Sequence, residues 1–292
     1  MMMPGYVIMT DSCCDLSADM AAELELTVLP LRLELEGRSY RNLLDGGEIG
    51  FPEFYGRVRE GAMPVTSAVN VGEFDAAMRP ILESGQDILC LCFSSALSTT
   101  YQSAVIAARE LEEAFPHRRV CVVDSLCASM GQGLFVWLCA QERRAGKTLE
   151  ELRDYAEATK GRICHWFTVN DLNHLKRGGR VSATAALFGT MLSIKPVLHV
   201  DDQGRLIPVE KCRGRKASIM ALVEHMEKTA VDPERYPAFI SHGDCLEEAE
   251  FLAEEVRRRV GVKEVFINYV GPVIGSHTGA GVITLFFVGS GR

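Results

Sequence analysis

Apolar runs alternate with helical patterns along the first half of the chain. The runs YVIMT, DILCLCF and RVCVVDS are largely apolar on both faces, and each precedes a segment with helical periodicity, such as LSADMAAELEL after the first run. Strands of this kind followed by helices are typical of a parallel sheet that is covered on both sides. The segment LPLRLELEG instead alternates leucines with charged residues, which predicts a half-exposed strand near a sheet edge. The first half is therefore predicted to be a Rossmann-like, layered α/β structure.

The pattern changes from about residue 161 onward. RICHWFTVN predicts a strand, DLNHLKRGGRVSATAALFGTML a helical stretch interrupted by two glycines, and KPVLHVDDQGRLIPVEKCRG a hairpin with its turn at DDQGR. Further helices and strands follow. Because 292 residues are long for one core, we expect two domains. We place a Rossmann-like α/β domain at residues 1–160 and an α+β domain at residues 161–292, with the ligand between them.

Charge and cysteine content exclude several classes of protein. The formal net charge of -8 argues against nonspecific binding to nucleic acid or to an anionic membrane surface. No run approaches the roughly 20 apolar residues of a spanning helix and no basic leader is visible, so we expect a cytoplasmic protein without a transmembrane segment. The 10 cysteines form no CxxC pair or ligand spacing, which predicts buried thiols and no metal site, with Cys13 and Cys14 as the pair of most interest.

Hydroxyl groups cluster at four places where a strand or loop meets a helix. The segments are TDSCCD, SSALSTTY, DSLCASMGQG and PVTSAVNVGEF, the last lying just ahead of a helical pattern that begins near Val71. Any one of them alone is typical of a helix N-cap. Ligands of open α/β sheets gather at the carboxyl ends of the strands, so we expect the four segments to converge. Neutral hydroxyls with backbone N–H groups suit the carboxylate of an otherwise apolar ligand.

Two further features carry polar chemistry in the second half. The sequence VGPVIGSHTGAGVITLFFVG places His277 in a predicted glycine-rich turn, where its imidazole could donate a hydrogen bond to a carboxylate or act as an acid or base. The segments LKRGGR and EKCRGRKA are basic in an acidic chain. They indicate either solvated faces or a surface that docks an anionic partner or a phosphate-bearing group.

The ordered motifs resemble the DegV family of bacterial fatty-acid-binding proteins. The matching segments span almost the whole chain: IMTDSCCDLS, PVTSAVNVGEF, FSSALSTTYQSA, VVDSLCASMGQG, LKRGGRVS, IKPVL, KCRGRKA and VIGSHTGAGVI. The resemblance implies a two-domain protein that encloses one long-chain fatty acid. It implies that Thr66, Ser95 and His277 bind the carboxylate, with Ser94, Ser98 and Ser67 as alternates.

The resemblance also implies a partner. Some members carry the lipid for a bacterial fatty acid kinase and present its carboxylate to a separate ATP-binding protein, which makes acyl phosphate. Arg177 or Arg180, together with Arg213, would then face the kinase or the phosphate. The chain has no GxxxxGK[ST] loop, so it is expected to be a non-enzymatic subunit that needs no cofactor.

Some turns depart from the family pattern, and two other functions remain open. TSAVN, SSALSTTY and HTGAGV stand where the family often has TSQPS, SSxLSGTY and HxGPGA, which keeps the hydroxyls and the histidine but alters the turns. One alternative is a serine hydrolase that uses Ser95 and His277 with Asp11 or Asp124, although no GxSxG elbow is present. The other is a nucleotide binder, although no GxGxxG is present.

Overall fold

A parallel sheet forms the centre of the N-terminal half. The computed structural model describes residues 5–170, 172–181 and 194–292. Four strands lie in the order β2-β1-β6-β7, and each pair of neighbours is parallel. They are β1 (Tyr6–Asp11), β2 (Leu26–Leu29), β6 (Asp87–Cys92) and β7 (Val120–Asp124). The predicted parallel α/β layer is confirmed.

Helices connect and cover these strands. They are α1 (Ala18–Glu23), α3 (Val71–Glu83), α4 (Thr100–Ala114), α5 (Met130–Arg144) and α6 (Leu149–Thr159). Helix α3 begins at Val71 as predicted, because Asn70 and Glu73 form a reciprocal capping box. Helix α1 is shorter than predicted. Glu25 has a positive φ of 51°, which ends the helical path and lets the following leucine-rich residues form β2.

A small antiparallel sheet lies beside the parallel one. It contains β3 (Arg32–Leu35), β4 (Arg38–Arg41) and β5 (Val65–Ser67), in the order β4-β3-β5, and α2 (Phe51–Arg59) lies between β4 and β5 in the chain. The alternation predicted for β3 is confirmed, since Leu33 and Leu35 are buried while Arg32 and Glu34 are exposed. Its predicted position near an edge is wrong, because β4 and β5 pair with β3 on both sides.

The C-terminal half is built on a six-stranded mixed sheet. Its order is β10-β9-β8-β13-β11-β12, and among the strands of the described residues only β11 and β12 are parallel neighbours in it. The strands are β8 (Ile163–Thr168), β9 (Ile194–Val200), β10 (Leu206–Arg213), β11 (Ala238–His242), β12 (Val265–Tyr269) and β13 (Ile283–Val288). The hairpin predicted at DDQGR is confirmed by the pairing of β9 with β10. The division into domains at residue 160 stays a prediction.

Helices pack on both faces of this second sheet. Helices α8 (Arg215–Thr229) and α9 (Leu246–Val260) cover one face, and α5 of the N-terminal half packs against the other. The predicted helical stretch at 171–192 begins as α7 (Asn173–Arg177) and ends at Gly178, while residues 171 and 182–192 of that prediction lie outside the described residues. None of the helices among the described residues has the length and apolarity needed to cross a membrane.

The environment of His277 differs from the prediction. His277 lies in the short helix α10 (Pro272–Thr278), so the predicted glycine-rich turn around it is wrong. Pro272 suits the first helical position, and Gly279, with a φ of 77°, ends the helix just after the histidine.

The cysteines are free thiols, and seven of the ten are buried, which agrees with the prediction.

Candidate functional site

A cavity of about 490 Å³ lies between the sheets of the two halves. This volume falls within the range of about 300–1,000 Å³ that is typical of small-molecule sites. Its walls are mainly aliphatic and aromatic side chains from both halves, among them Leu31, Phe93, Leu97, Phe167, Leu175, Val200, Leu206, Val270, Val273, Ile274, Val282 and Phe286. The walls therefore suit an apolar ligand.

Thr66 and His277 form a hydrogen-bonded pair on the cavity wall. Thr66 is held in β5 of the small sheet, whereas His277 comes from α10, so the two residues are 211 positions apart in the chain. Their Oγ1 and Nε2 atoms are 2.8 Å apart, and both side chains line the cavity. Ser67 also lines it and is exposed. The pair places a hydroxyl and an imidazole together on a largely apolar cavity wall.

The imidazole of His277 is held in its neutral form. Its pKa is lowered to about 4, chiefly by burial and in smaller part by the positive charge of Arg180. A neutral imidazole has one N–H donor and one acceptor nitrogen. Gly178 packs directly against the Nδ1 side of the ring, since a Cβ atom there would lie 2.1 Å from Nδ1 of His277. Sequence reasoning treated Gly178 only as a helix interruption and missed this contact.

The adjacent serines of the SSALS segment have different environments. Ser94 is fully buried, does not line the cavity, and donates its hydroxyl hydrogen to the carbonyl oxygen of Gly204 at 2.9 Å. Ser95 lines the cavity, and its hydroxyl has no hydrogen-bond partner among the described residues. Ser98 also lines the cavity, with its Oγ 2.9 Å from Oγ1 of Thr100. Ser95 therefore presents the hydroxyl that is most available to a ligand.

The predicted basic residues are distributed unevenly around the cavity. Arg180 lines it and donates to the carbonyl oxygens of Leu97 and Gly178, with no acidic partner in the described part of the chain. Arg177 is exposed at the end of α7, where its guanidinium lies 3.0 Å from the sulfur of Met63. Arg213 is exposed at the end of β10. Only Arg180 among these three lines the cavity wall.

The four hydroxyl-rich segments converge only in part. Residues of the SSALSTTY and PVTSAVNVGEF segments line the cavity, and Ala128 and Ser129 bring the DSLCASMGQG segment to it. The TDSCCD segment does not line it, which contradicts the expected fourfold convergence. The reason is that its Asp11 and Ser12 side chains bind backbone N–H groups of Cys13, Phe93 and Leu31 inside the N-terminal half.

The contacts do not assemble a hydrolase triad within the described residues. His277 Nε2 faces Thr66 and not Ser95, and Asp124 accepts hydrogen bonds from the backbone N–H groups of Ser95 and Leu126. Asp11 likewise binds backbone N–H groups, as described above. A serine hydrolase needs the nucleophile, the base and the orienting acid in one hydrogen-bonded series. The alternative of a serine hydrolase therefore has no geometric support.

Fold and site together define an α/β protein that encloses a largely apolar cavity with hydroxyl groups, the imidazole of His277 and Arg180 on its wall. A family model described as "Uncharacterised protein, DegV family" matches residues 6–290, and the chain belongs to this family. A DegV domain-containing protein of Clostridium perfringens is 45% identical over 287 residues, which cover 98% of each chain. The resemblance seen in the sequence motifs is confirmed.

Solved structures share the whole architecture. A structure described as fatty acid binding of a DegV family protein from Thermus thermophilus has a TM-score of 0.86 at 33% identity, covering 97% of this chain and 99% of that one. A stearic acid-binding protein from Eubacterium ventriosum has a TM-score of 0.87 at 26% identity, covering 97% and 98%. Both relatives are described as fatty-acid binders, and the likeness extends over both halves of the fold.

Proposed function

We propose that this protein binds one long-chain fatty acid, with the acyl chain in the cavity and the carboxylate beside Thr66, Ser95 and His277. The observation that carries the proposal is the Ser95 hydroxyl and the Thr66–His277 pair facing an apolar cavity. The descriptions of the Thermus thermophilus and Eubacterium ventriosum relatives as fatty-acid binders support it. Ser67 and Ser98, which also line the cavity, are secondary contacts, and the buried Ser94 takes no part.

Burial of the acyl chain supplies the affinity in this proposal. Each buried methylene contributes roughly 0.8 kcal/mol, so a chain of about sixteen carbons gains on the order of 12 kcal/mol before the cost of association. The cavity walls described above are apolar enough to accept such a chain. Headgroup contacts then fix the orientation of the lipid within the cavity.

The carboxylate end needs hydrogen-bond donors, and the Thr66–His277 pair can supply one. If the Nε2–H of His277 donates to Oγ1 of Thr66, the Thr66 hydroxyl hydrogen is free to donate to a carboxylate oxygen. The hydroxyl of Ser95 supplies a second donor. Arg180, which has no acidic partner among the described residues, adds a positive charge nearby. Hydrogen bonds to a charged group contribute about 1.5–3 kcal/mol each.

Native mass spectrometry of the purified protein tests the lipid assignment. We expect a mass increment of one fatty acid, which solvent extraction then releases as an unmodified acid. A protein that carries no such increment and binds neither palmitate nor stearate after delipidation contradicts the proposal. Release of a hydrolysis product from a bound ester would indicate the hydrolase alternative.

We further propose that the bound carboxylate is presented, in the cytoplasm, to a separate ATP-dependent kinase that converts it to acyl phosphate. Arg180 lies at the cavity, and Arg177 and Arg213 are exposed, so they are the residues we assign to the kinase or the phosphate. Positive side chains on an acidic protein attract an anionic partner or a phosphate. The absence of a phosphate-binding loop from the sequence agrees with a separate kinase.

Acyl phosphate formation with a candidate kinase tests this second step. The triple variant Arg177→Ala, Arg180→Ala, Arg213→Ala should lose most acyl phosphate formation. Arg258→Ala is the matched control, because Arg258 is exposed on α9 and pairs with Glu255. Full activity of the triple variant would contradict the assignment of these arginines, while leaving the lipid assignment intact.

A further inference from the structure

A chain of buried side chains joins the two halves beside the cavity. Asp15 follows β1, Ser129 precedes α5, and Ser241 and Thr284 lie in β11 and β13. Asp15 Oδ2 lies 2.6 Å from Ser129 Oγ, Ser129 Oγ lies 2.7 Å from Ser241 Oγ, and Ser241 Oγ lies 2.7 Å from Thr284 Oγ1. Thr284 then donates to the carbonyl oxygen of Ser241 at 2.9 Å. We call these four side chains the Asp15 chain.

The hydrogens of the Asp15 chain can be counted. Its four contacts each join two oxygen atoms, so each needs one hydrogen. The three hydroxyl groups supply only three hydrogens. With Asp15 ionised, the three hydroxyl hydrogens can serve the three shortest contacts, and the 2.9 Å contact between Thr284 Oγ1 and the carbonyl oxygen of Ser241 is left without a hydrogen. With Asp15 protonated, the acid donates to Ser129, Ser129 to Ser241, Ser241 to Thr284, and Thr284 to the carbonyl, so all four contacts are satisfied.

We infer that Asp15 is a neutral carboxylic acid at neutral pH and acts as a positioning residue, donating its proton to Ser129 and closing a hydrogen-bonded chain across both halves. The second oxygen of Asp15, Oδ1, is buried against Gly271 and makes no hydrogen bond of normal geometry. A carbonyl oxygen of a neutral acid is less costly to leave unpaired than an oxygen of a buried carboxylate. No ion pair among the described residues involves Asp15.

The surroundings of Asp15 agree with this assignment. The pKa of Asp15 is raised to about 8, chiefly by burial and to a smaller extent by the negative charge of Asp11, while the Ser129 hydroxyl and the nearby backbone N–H of Gly271 oppose the rise. The other titratable groups that interact with it are Cys13 and Cys14 of its own segment and Tyr55 of α2. Burial raises the pKa of all three, so they stay neutral where Asp15 titrates. The remaining members of the Asp15 chain do not titrate.

Ser129 needs such an anchor because its backbone is strained. Its φ of 53° and ψ of -148° are unusual for a residue with a side chain. Ser129 also lines the cavity, as does its neighbour Ala128, whose N–H donates to Nε2 of His165. By fixing Ser129, Asp15 therefore holds one stretch of the cavity wall. The effect on a lipid rests on the proposed function, whereas the protonation of Asp15 does not.

The protonation state can be measured directly on the wild-type protein. In ¹³C NMR of protein labelled at aspartate carboxyl carbons, the Asp15 signal is identified by its loss in Asp15→Asn. We expect the chemical shift of a neutral acid at pH 6.5, which changes to that of a carboxylate as the pH rises through about 8. A carboxylate shift at pH 6.5 would overturn the inference whether or not the variants fold.

The pH dependence of stability gives a second readout. Between pH 6.5 and 8 an aspartate that is ionised in the unfolded chain and protonated in the folded one takes up a proton on folding. The folding equilibrium constant therefore falls by up to tenfold for each unit by which the pH rises in this window. Asp15→Asn, which keeps a donor but does not titrate, should remove this dependence. Asp19→Asn, at an exposed position in α1, should keep it. An equal dependence in Asp15→Asn and wild type would overturn the inference.

Fatty-acid release separates positioning from simple packing. Asp15→Ala, which cannot donate, should release a bound fatty acid several-fold faster than wild type, and Asp15→Asn should restore slow release. Equal acceleration in both variants would overturn the positioning role. If the protein binds no fatty acid, the proposed function fails, while the NMR and stability measurements still decide the state of Asp15.

Discussion

Two clusters of hydroxyl groups lie on the same cavity and differ in where their hydrogens go. At the first, Thr66 faces His277 and the Ser95 hydroxyl has no partner among the described residues, so donors remain for a ligand. At the second, the Asp15 chain uses its hydrogens internally, from Asp15 through Ser129 to Thr284.

The difference teaches that a hydroxyl on a cavity wall is not by itself a binding group. A buried polar group is stable when its hydrogen bonds are made within the protein, and it then has little to offer a ligand. An unpaired hydroxyl beside a cavity is stable only when water or a ligand satisfies it. The first cluster is therefore assigned to binding and the second to holding the two halves together.

The largest expected effect comes from removing the free donors of the first cluster. The double variant Thr66→Val, Ser95→Ala removes two hydrogen bonds to the proposed carboxylate, each contributing about 1.5–3 kcal/mol. We expect fatty-acid affinity, measured by calorimetry on delipidated protein, to fall by roughly 100-fold or more. The free energy of unfolding should fall by no more than about 1–3 kcal/mol, because Thr66→Val leaves Nε2 of His277 without its partner.

Ser39→Ala serves as the control for this comparison, because Ser39 is exposed on β4 and does not line the cavity. It should leave the fatty-acid affinity and the free energy of unfolding at their wild-type values. Unchanged affinity in the double variant would mean that the first cluster does not bind the carboxylate.

The next effect comes from the neutral imidazole of His277. Its folded-state pKa of about 4 lies below the ordinary value near 6.5. As the pH falls from 6.5 to 4, the unfolded chain takes up a proton that the folded protein does not. Stability should therefore fall by at most about 1.4 kcal/mol per pH unit in this window. His277→Gln should remove this contribution in urea denaturation of lipid-free protein.

The contribution of His277 is read as the difference between wild type and variant, because burial also lowers the pKa of His165, His199 and His242. Exposed His117 provides the matched control, and His117→Gln should keep the wild-type dependence. If His277→Gln and wild type lose stability in parallel between pH 6.5 and 4, the imidazole is not held neutral by burial.

The smallest effect sharpens the comparison at adjacent positions. Ser94→Ala leaves the Gly204 carbonyl oxygen without its donor and the Ala96 N–H without its acceptor, so we expect a loss of about 1–3 kcal/mol in unfolding free energy. Ser95→Ala should change stability by less than about 0.5 kcal/mol but weaken fatty-acid binding. Chemical denaturation and calorimetry on both variants test this. A loss of fatty-acid binding in Ser94→Ala together with a loss of stability in Ser95→Ala would show that Ser94 is the carboxylate contact.

Much of the local structure could be predicted from periodicity and turn chemistry. The parallel strands, the start of α3 near Val71, the alternation of β3 and the hairpin between β9 and β10 all follow from neighbours in sequence. The central position of β3 and the helical environment of His277 could not be predicted this way. Strand neighbours depend on residues far along the chain, and the helical propensity of Pro272–Thr278 is weak because glycines lie within and beside it.

The sequence by itself determined which segments carry hydroxyls, an imidazole and basic side chains, and its ordered motifs indicated the family. Only the tertiary structure decided which of these groups face the cavity, because a hydroxyl becomes a donor for a ligand only when packing leaves its hydrogen unused. Ser94 and Ser95 are identical in sequence terms, yet one is bonded to Gly204 and the other is open to the cavity. Packing also decides that Asp15 lies outside the site. Its hydrogen-bonding partners Ser129 and Ser241 meet it only after both halves fold.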